Sequence, residues 1–251
     1  MPRTSDQSPP EPGAAAPQGW FGRSPDRLVL ALVAAVLALR LVSLALNATD
    51  LYYDEAQYWA WAQELDFGYY SKPPLLAWLI AATTIFGDTP FFVRLASPVL
   101  HCATALILYG LGKRLVTPRA GLVSALIWLT MPGVSLSSHI ISTDVPLLFF
   151  WSLALFAFAR FMERRRLADA LLLGVAIGLG LNSKYAMGYL PPILILFAAS
   201  SAETRPLLRD PRFWAALLLG LVLLVPNIVW NAQHHFATFA HTRDNADWHG
   251  L

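Results

Sequence analysis

The sequence predicts an all-α membrane helix bundle, and three observations carry that expectation. Only 14% of the 251 residues are charged, against about 25% in soluble domains. Mean hydropathy is +0.50. Apolar runs approaching bilayer length recur between short polar linkers, and roughly 20 such residues cross a hydrocarbon core. The expected organisation is a tail at 1–26, then a polytopic module at 27–251 with about seven spans and interfacial helices in its first outer loop.

Residues 1–19 (MPRTSDQSPPEPGAAAPQG) are rich in Pro, Ser and Ala and bury no core, so they read as a disordered tail. Arg27–Leu46 is the first span rather than a cleaved leader, because no small-x-small site follows it before the charged loop. Then comes DLYYDEAQYWAWAQELDFGYYSKPP, starting at Asp50. Asp54 as N-cap with Gln57 three residues on would complete a capping box. One cap explains one acid, and Glu55 is left over. Tyr52, Tyr53, Tyr58, Trp59 and Trp61 suit an interfacial belt. Lys72 precedes Pro73, which favours extended backbone there. A lysine beside the amino end of a helix attracts phosphate; the competing reading is a snorkelling side chain.

Pro74–Phe86 has thirteen residues, too few for a span, and fits an interfacial or re-entrant helix. Charge tests that choice. With Pro74–Phe86 not crossing, and further spans at Phe91–Gly112, Ala120–Ser138, Val145–Phe161, Ala168–Leu181, Tyr185–Ser200 and Phe213–Trp230, thirteen Lys and Arg residues share the side of the tail. The other side receives Lys72, Arg94, Lys184 and Arg243, and Arg40 stays within the first span. This asymmetry makes the tail side cytoplasmic. It also sends Asp54, Glu55, Lys72, His139, Asp144, Lys184 and His234 to one outer face, where ionisable groups at membrane depth usually serve function.

Asp144 lies in SSHIISTDVPLLFFW at the start of a span, and by itself reads as an ordinary helix cap. Lys184 lies in GLGLNSKYAMGYLPP, where a polar break between two short helices suggests irregular backbone lining a cavity. His234, His235 and His241 show no His-x3-His zinc spacing, so a divalent metal has no support from ligand spacing, although a cation site built from Asp, Glu and His stays open. Cys102, the single cysteine, reads as a small buried side chain and excludes an intrachain disulfide. Nucleic-acid binding has no support, since topology already accounts for the arginines. The ending DNADWHGL, in a polar segment after an odd number of spans, suggests that more helices follow.

Taken together, YYDEAQYWAWAQELDFGYYSKPPLLAWL, RLASPVL, SSHIISTDVPLLFFW and GLGLNSKYAMGYLPP resemble the polyprenyl-phosphate-dependent GT-C glycosyltransferases. That group includes protein O-mannosyltransferases and the bacterial transferases that put aminoarabinose or galacturonic acid on lipopolysaccharide. The resemblance is strongest to the glycosyltransferase-39-like branch, and covers the amino-terminal half of a typical member. It implies a polyprenyl-phosphate sugar donor, a lipid or protein acceptor of the cell envelope, and a site on the extracytoplasmic face of a bacterial inner membrane. It implies catalytic roles for Asp54 and Asp144, with Glu55 beside them, and phosphate contacts for Lys72 and Lys184. Tyr53, Tyr58, Tyr69, Tyr70, Arg94, His139, Asn182 and Tyr185 are the expected substrate or acceptor contacts. Some members carry an acid just before the first lysine, where Ser71 stands here. Two other classes remain: a secondary transporter, which should show repeated halves and a midplane site, and a non-catalytic lipid-binding subunit, which would need the lysines but not Asp54.

Overall fold

The computed structural model describes residues 25–246; most of the expected tail, with Arg3 and Arg23, lies outside them. Twelve α-helices and two 3-10 turns make up the described fold, with no strand among the described residues. Four helical segments have the length and composition to cross a membrane: Pro25–Ala45, Pro90–Leu115, Asp144–Arg164 and Pro211–Gln233. The first is α1; the second comprises α4 (Pro90–Arg94) and α5 (Ala96–Leu115); the others are α8 and α11.

The remaining apolar runs are shorter or broken. The run expected to span at Ala120–Ser138 is two helices, α6 (Pro118–Thr130) and α7 (Pro132–Ser137). Pro132 has no N–H and pushes Met131 to extended backbone, φ −61° and ψ 126°. The break frees the Leu129 carbonyl, and buried Arg40 of α1 donates to it at 2.8 Å. An arginine inside a span is thereby placed at a helix carboxyl end, where positive charge is favoured.

Helix α9 (Leu167–Ser183) stops at Lys184, which is extended, and continues through a 3-10 turn (Tyr185–Tyr189) into α10 (Leu190–Ser200). This is the polar break the sequence predicts. Helices α9 and α11 pack against each other more extensively than any other pair. A Cβ on Gly174 would lie 2.6 Å from the Ala216 carbonyl oxygen, so only glycine permits this approach.

Three apolar cores result. One joins α8, α9, α10 and α11; a second joins α1, α5 and α6; the third packs α2 (Tyr53–Ala62) and α3 (Leu75–Thr84) on α4 and Ile141. Helix α3 has ten residues, about 15 Å of rise and half a hydrocarbon core.

Ion pairs mark the two ends of the bundle. Lys113–Asp26, Arg114–Glu163 and Arg165–Asp210 gather the start of α1, the ends of α5 and α8 and the start of α11. The opposite end collects the loop carrying Thr49, the start of α8 and the end of α9 through Arg94–Thr49 and Asp144–Lys184 contacts. The basic linkers and the predicted site residues therefore separate to opposite ends.

Candidate active site

Helix α2 starts two residues earlier than its acids suggest. Tyr52 is the N-cap and Glu55, at the third helical position, accepts the Tyr52 N–H at 3.0 Å. The expected cap, Asp54 with Gln57, does not form. The reason lies outside the helix: Glu55 is fully buried against Arg94, itself 1% exposed. Arg94 Nη2 donates to Glu55 Oε2 at 2.7 Å and to the Asp50 carbonyl at 2.8 Å, and Nη1 donates to the Thr49 carbonyl at 3.1 Å. Glu55 Oε1 also accepts the Ile141 N–H at 2.9 Å. Glu55 was expected beside the reacting atoms and Arg94 at the substrate. Both are instead consumed in a buried latch between the loop before α2 and the segment before α8.

The latch sets the two remaining acids. Asp54 is exposed in the first turn of α2, and Asp144 opens α8 three residues after Ile141. Tyr58, one turn beyond Asp54, is buried, and its hydroxyl is pushed up to about 12 by burial and then by the charges of Asp54 and Asp144. Both carboxylates therefore act on one side chain. Asp144 Oδ1 also accepts from Lys184 Nζ at 2.8 Å.

Lys184 and Lys72 line one open cleft of about 400 Å³. Ser71, Lys72 and Pro73 form one wall, Lys184, Tyr185, Ala186 and Tyr189 a second, and His241 and Thr242 of α12 (Ala237–Ala246) a third. The Lys72 loop is clamped from behind. Asn227 Nδ2 donates to the Phe67 carbonyl at 2.7 Å, Trp230 Nε1 to Asp66 Oδ2 at 2.6 Å, and buried Thr238 Oγ1 to the Tyr69 carbonyl at 2.6 Å. Gly68 lies so close beneath Trp230 that a Cβ there would stand 2.4 Å from the indole.

The other expected contacts divide. Tyr185 reaches the cleft, with its hydroxyl donating to Asn227 Oδ1 at 2.7 Å and its ring stacked on Phe239. Tyr70 is exposed beside His241, with ring centroids 5.1 Å apart, and Tyr53 is exposed at the start of α2. Tyr69 is a buried strut, its hydroxyl bonded to the Trp61 and Glu64 carbonyls. Asn182 is likewise buried and ties α9 to α11 through the Leu223 carbonyl. In both, the side chain is buried and its polar group is already engaged with backbone carbonyls. His139 links Ser43 to the Ser135 carbonyl and does not line the cleft. The sequence reading missed Tyr189 and Thr242, noted Ser71 only as standing where some members carry an acid, and treated His241 only as a metal candidate. Among the described residues no group of three or more His, Cys, Asp or Glu side chains is placed to hold a metal ion.

A model of the family described as dolichyl-phosphate-mannose-protein mannosyltransferase matches residues 71–230, well over half of the chain. The chain belongs to this family. The match includes Lys72, Asp144 and Lys184 of this mannosyltransferase-family member. The chain is 40% identical over 228 residues to a lipid A galacturonosyltransferase, RgtD, of Rhizobium johnstonii, covering 88% of this chain and 47% of that protein. It is 32% identical over 143 residues to an undecaprenyl phosphate-alpha-4-amino-4-deoxy-L-arabinose arabinosyl transferase of Pseudomonas aeruginosa, covering 55% and 26%. It thus spans about half the length of the curated relative RgtD. Among solved structures, the protein O-mannosyltransferase complex of S. cerevisiae bound to the sugar donor superposes with a TM-score of 0.63 at 20% identity, over 85% of this chain and 34% of that one. At that identity the likeness is one of fold. The family, the fold and the apolar helices make this a membrane protein.

Proposed function

We propose that the chain is the catalytic module of a membrane glycosyltransferase. It moves a sugar from a polyprenyl-phosphate donor to an envelope acceptor, lipid A or the lipopolysaccharide core foremost, at the outer face of a bacterial inner membrane. The observation that carries this reading is the meeting of Lys72 and Lys184 in one open cleft, with Asp144 against Lys184. The relatives' names, which specify lipid A and an undecaprenyl phosphate sugar, support the substrate classes. The charge asymmetry of the two bundle ends supports the orientation.

Phosphate is a weak base, so its departure needs charge stabilisation more than a general acid. Lys72, Lys184 and the amino end of α3, which follows Lys72 closely, supply it. One base is then needed to take the acceptor hydroxyl proton. Asp54 is that base, because it is the exposed member of the acidic pair while Glu55 is buried. The acceptor oxygen bonds to the anomeric carbon, the carbon–oxygen bond to phosphate breaks, and the electron pair leaves with the polyprenyl phosphate. Single displacement inverts the anomeric centre.

The test uses the full-length protein in liposomes with radiolabelled polyprenyl-phosphate sugars and lipid A. Asp54→Asn is expected to lower transfer about 10²–10⁴-fold without moving the thermal midpoint. Unchanged transfer would remove Asp54 as base. If the parent protein consumes no donor sugar, a transporter or binding subunit replaces the enzyme. Labelling of Asp54→Cys and Lys184→Cys from opposite sides of the membrane would overturn the site itself.

A further inference from the structure

We infer that Asp144 is a specificity-determining residue: by pairing with Lys184, which lines the cleft, its carboxylate biases the site toward the phosphodiester of the donor and against the phosphomonoester of the product. This rests on the proposed function and deepens it.

Transfer changes the charge of the ligand. The donor phosphate is esterified on two sides and carries one negative charge. Once the sugar has left, the phosphate is a monoester whose second ionisation, near pH 6, brings it close to two charges at neutral pH. A cleft holding only Lys72 and Lys184 would grip the product harder than the donor and stall after each turnover. The structure sets a carboxylate against one of those lysines, with Lys184 Nζ 2.8 Å from Asp144 Oδ1.

This pair is not a buried brace. Its side chains are 53% exposed for Asp144 and 40% for Lys184. The Asp144 hydrogen bond runs across to the end of α9 rather than into its own helix. Lys184 reaches the cleft while so engaged, and a phosphate gripping it meets the Asp144 charge at short range. Coulomb energy scales with the product of the charges. The diester therefore feels the Asp144 repulsion once and the monoester twice, and Asp144 favours release of the product.

That proportionality gives a quantitative test. In full-length protein in nanodiscs at pH 8, equilibrium binding is measured for farnesyl phosphate, a monoester, and for its methyl ester, a diester with the same tail. Asp144→Asn is expected to raise diester affinity about threefold and monoester affinity about tenfold, near the square of the diester gain. Asp144→Glu keeps the charge and keeps the parent's affinity ratio. An unchanged ratio in Asp144→Asn, whether both affinities rise equally or neither moves, overturns the inference. So does an Asp144→Glu ratio equal to that of Asp144→Asn. If neither probe's binding to the parent falls on Lys72→Ala or Lys184→Ala, there is no phosphate site, and the proposed function fails along with the inference.

Discussion

The Glu55–Arg94 and Asp144–Lys184 pairs are made of the same charges at almost the same separation, 2.7 and 2.8 Å. They do opposite things. The first is 1% exposed on both sides and serves backbone groups of Tyr52, Ile141, Thr49 and Asp50 as well as itself. The second is half-exposed, and its lysine lines the cleft. A buried carboxylate with every lone pair engaged has no capacity left for a substrate, whereas an exposed pair can exchange partners as ligands arrive. Solvent access therefore separates these two pairs more sharply than their charges or separations do.

The strongest way to break this contrast is Arg94→Ala. It leaves the Glu55 charge buried without its partner, a loss of about 3–5 kcal/mol. The Thr49 and Asp50 carbonyls lose their donor as well. Even replacing both members with leucine should destabilise, because the latch satisfies main-chain groups that leucines cannot. A thermal melt of the purified protein checks both variants. If the double leucine variant melts at the parent's temperature, the latch is dispensable.

A smaller effect is expected at the clamp behind Lys72. Thr238→Val removes the hydroxyl that satisfies the buried Tyr69 carbonyl at nearly constant volume, costing about 1–3 kcal/mol. The Lys72 loop should loosen, so donor KM should rise more than kcat falls. Equal falls in kcat and kcat/KM would place the clamp's influence on the reacting groups instead.

Much of this architecture was legible in the sequence, for local reasons. Gly180 and Pro191-Pro192 around a polar Asn-Ser-Lys-Tyr announced the break at Lys184, and the shortness of Pro74–Phe86 announced a helix unable to span. The division of basic residues anticipated the two ends. What failed was decided by distant partners. Asp54 and Glu55 are neighbours with like chemistry, and only Arg94, brought in from α4, determines which is buried. Asn182 and Tyr69 looked like polar site residues, yet each meets a backbone group in a packed interior. The break in Ala120–Ser138 was different, because Pro132 stood in plain view and hydropathy alone carried the run across it. The third cleft wall, from α12, was hidden because hydropathy and motif spacing say nothing of where a short polar helix folds back.

The smallest expected effect tests the contrast most finely. Lys184→Ala removes a half-exposed partner, and exposed pairs contribute about 0–1 kcal/mol to stability. Its melting temperature should stay close to the parent's while affinity for the donor falls. Salt separates the two pairs further. Raising ionic strength to 1 M shortens the screening length to about 3 Å, which weakens an exposed pair and hardly touches a buried one. In 1 M salt the small stability difference between Lys184→Ala and parent should vanish, whereas the Arg94→Ala deficit should persist. A deficit for Lys184→Ala as large and as salt-resistant as that for Arg94→Ala would mean that both pairs are braces. Asp144 would then be no more available to a ligand than Glu55.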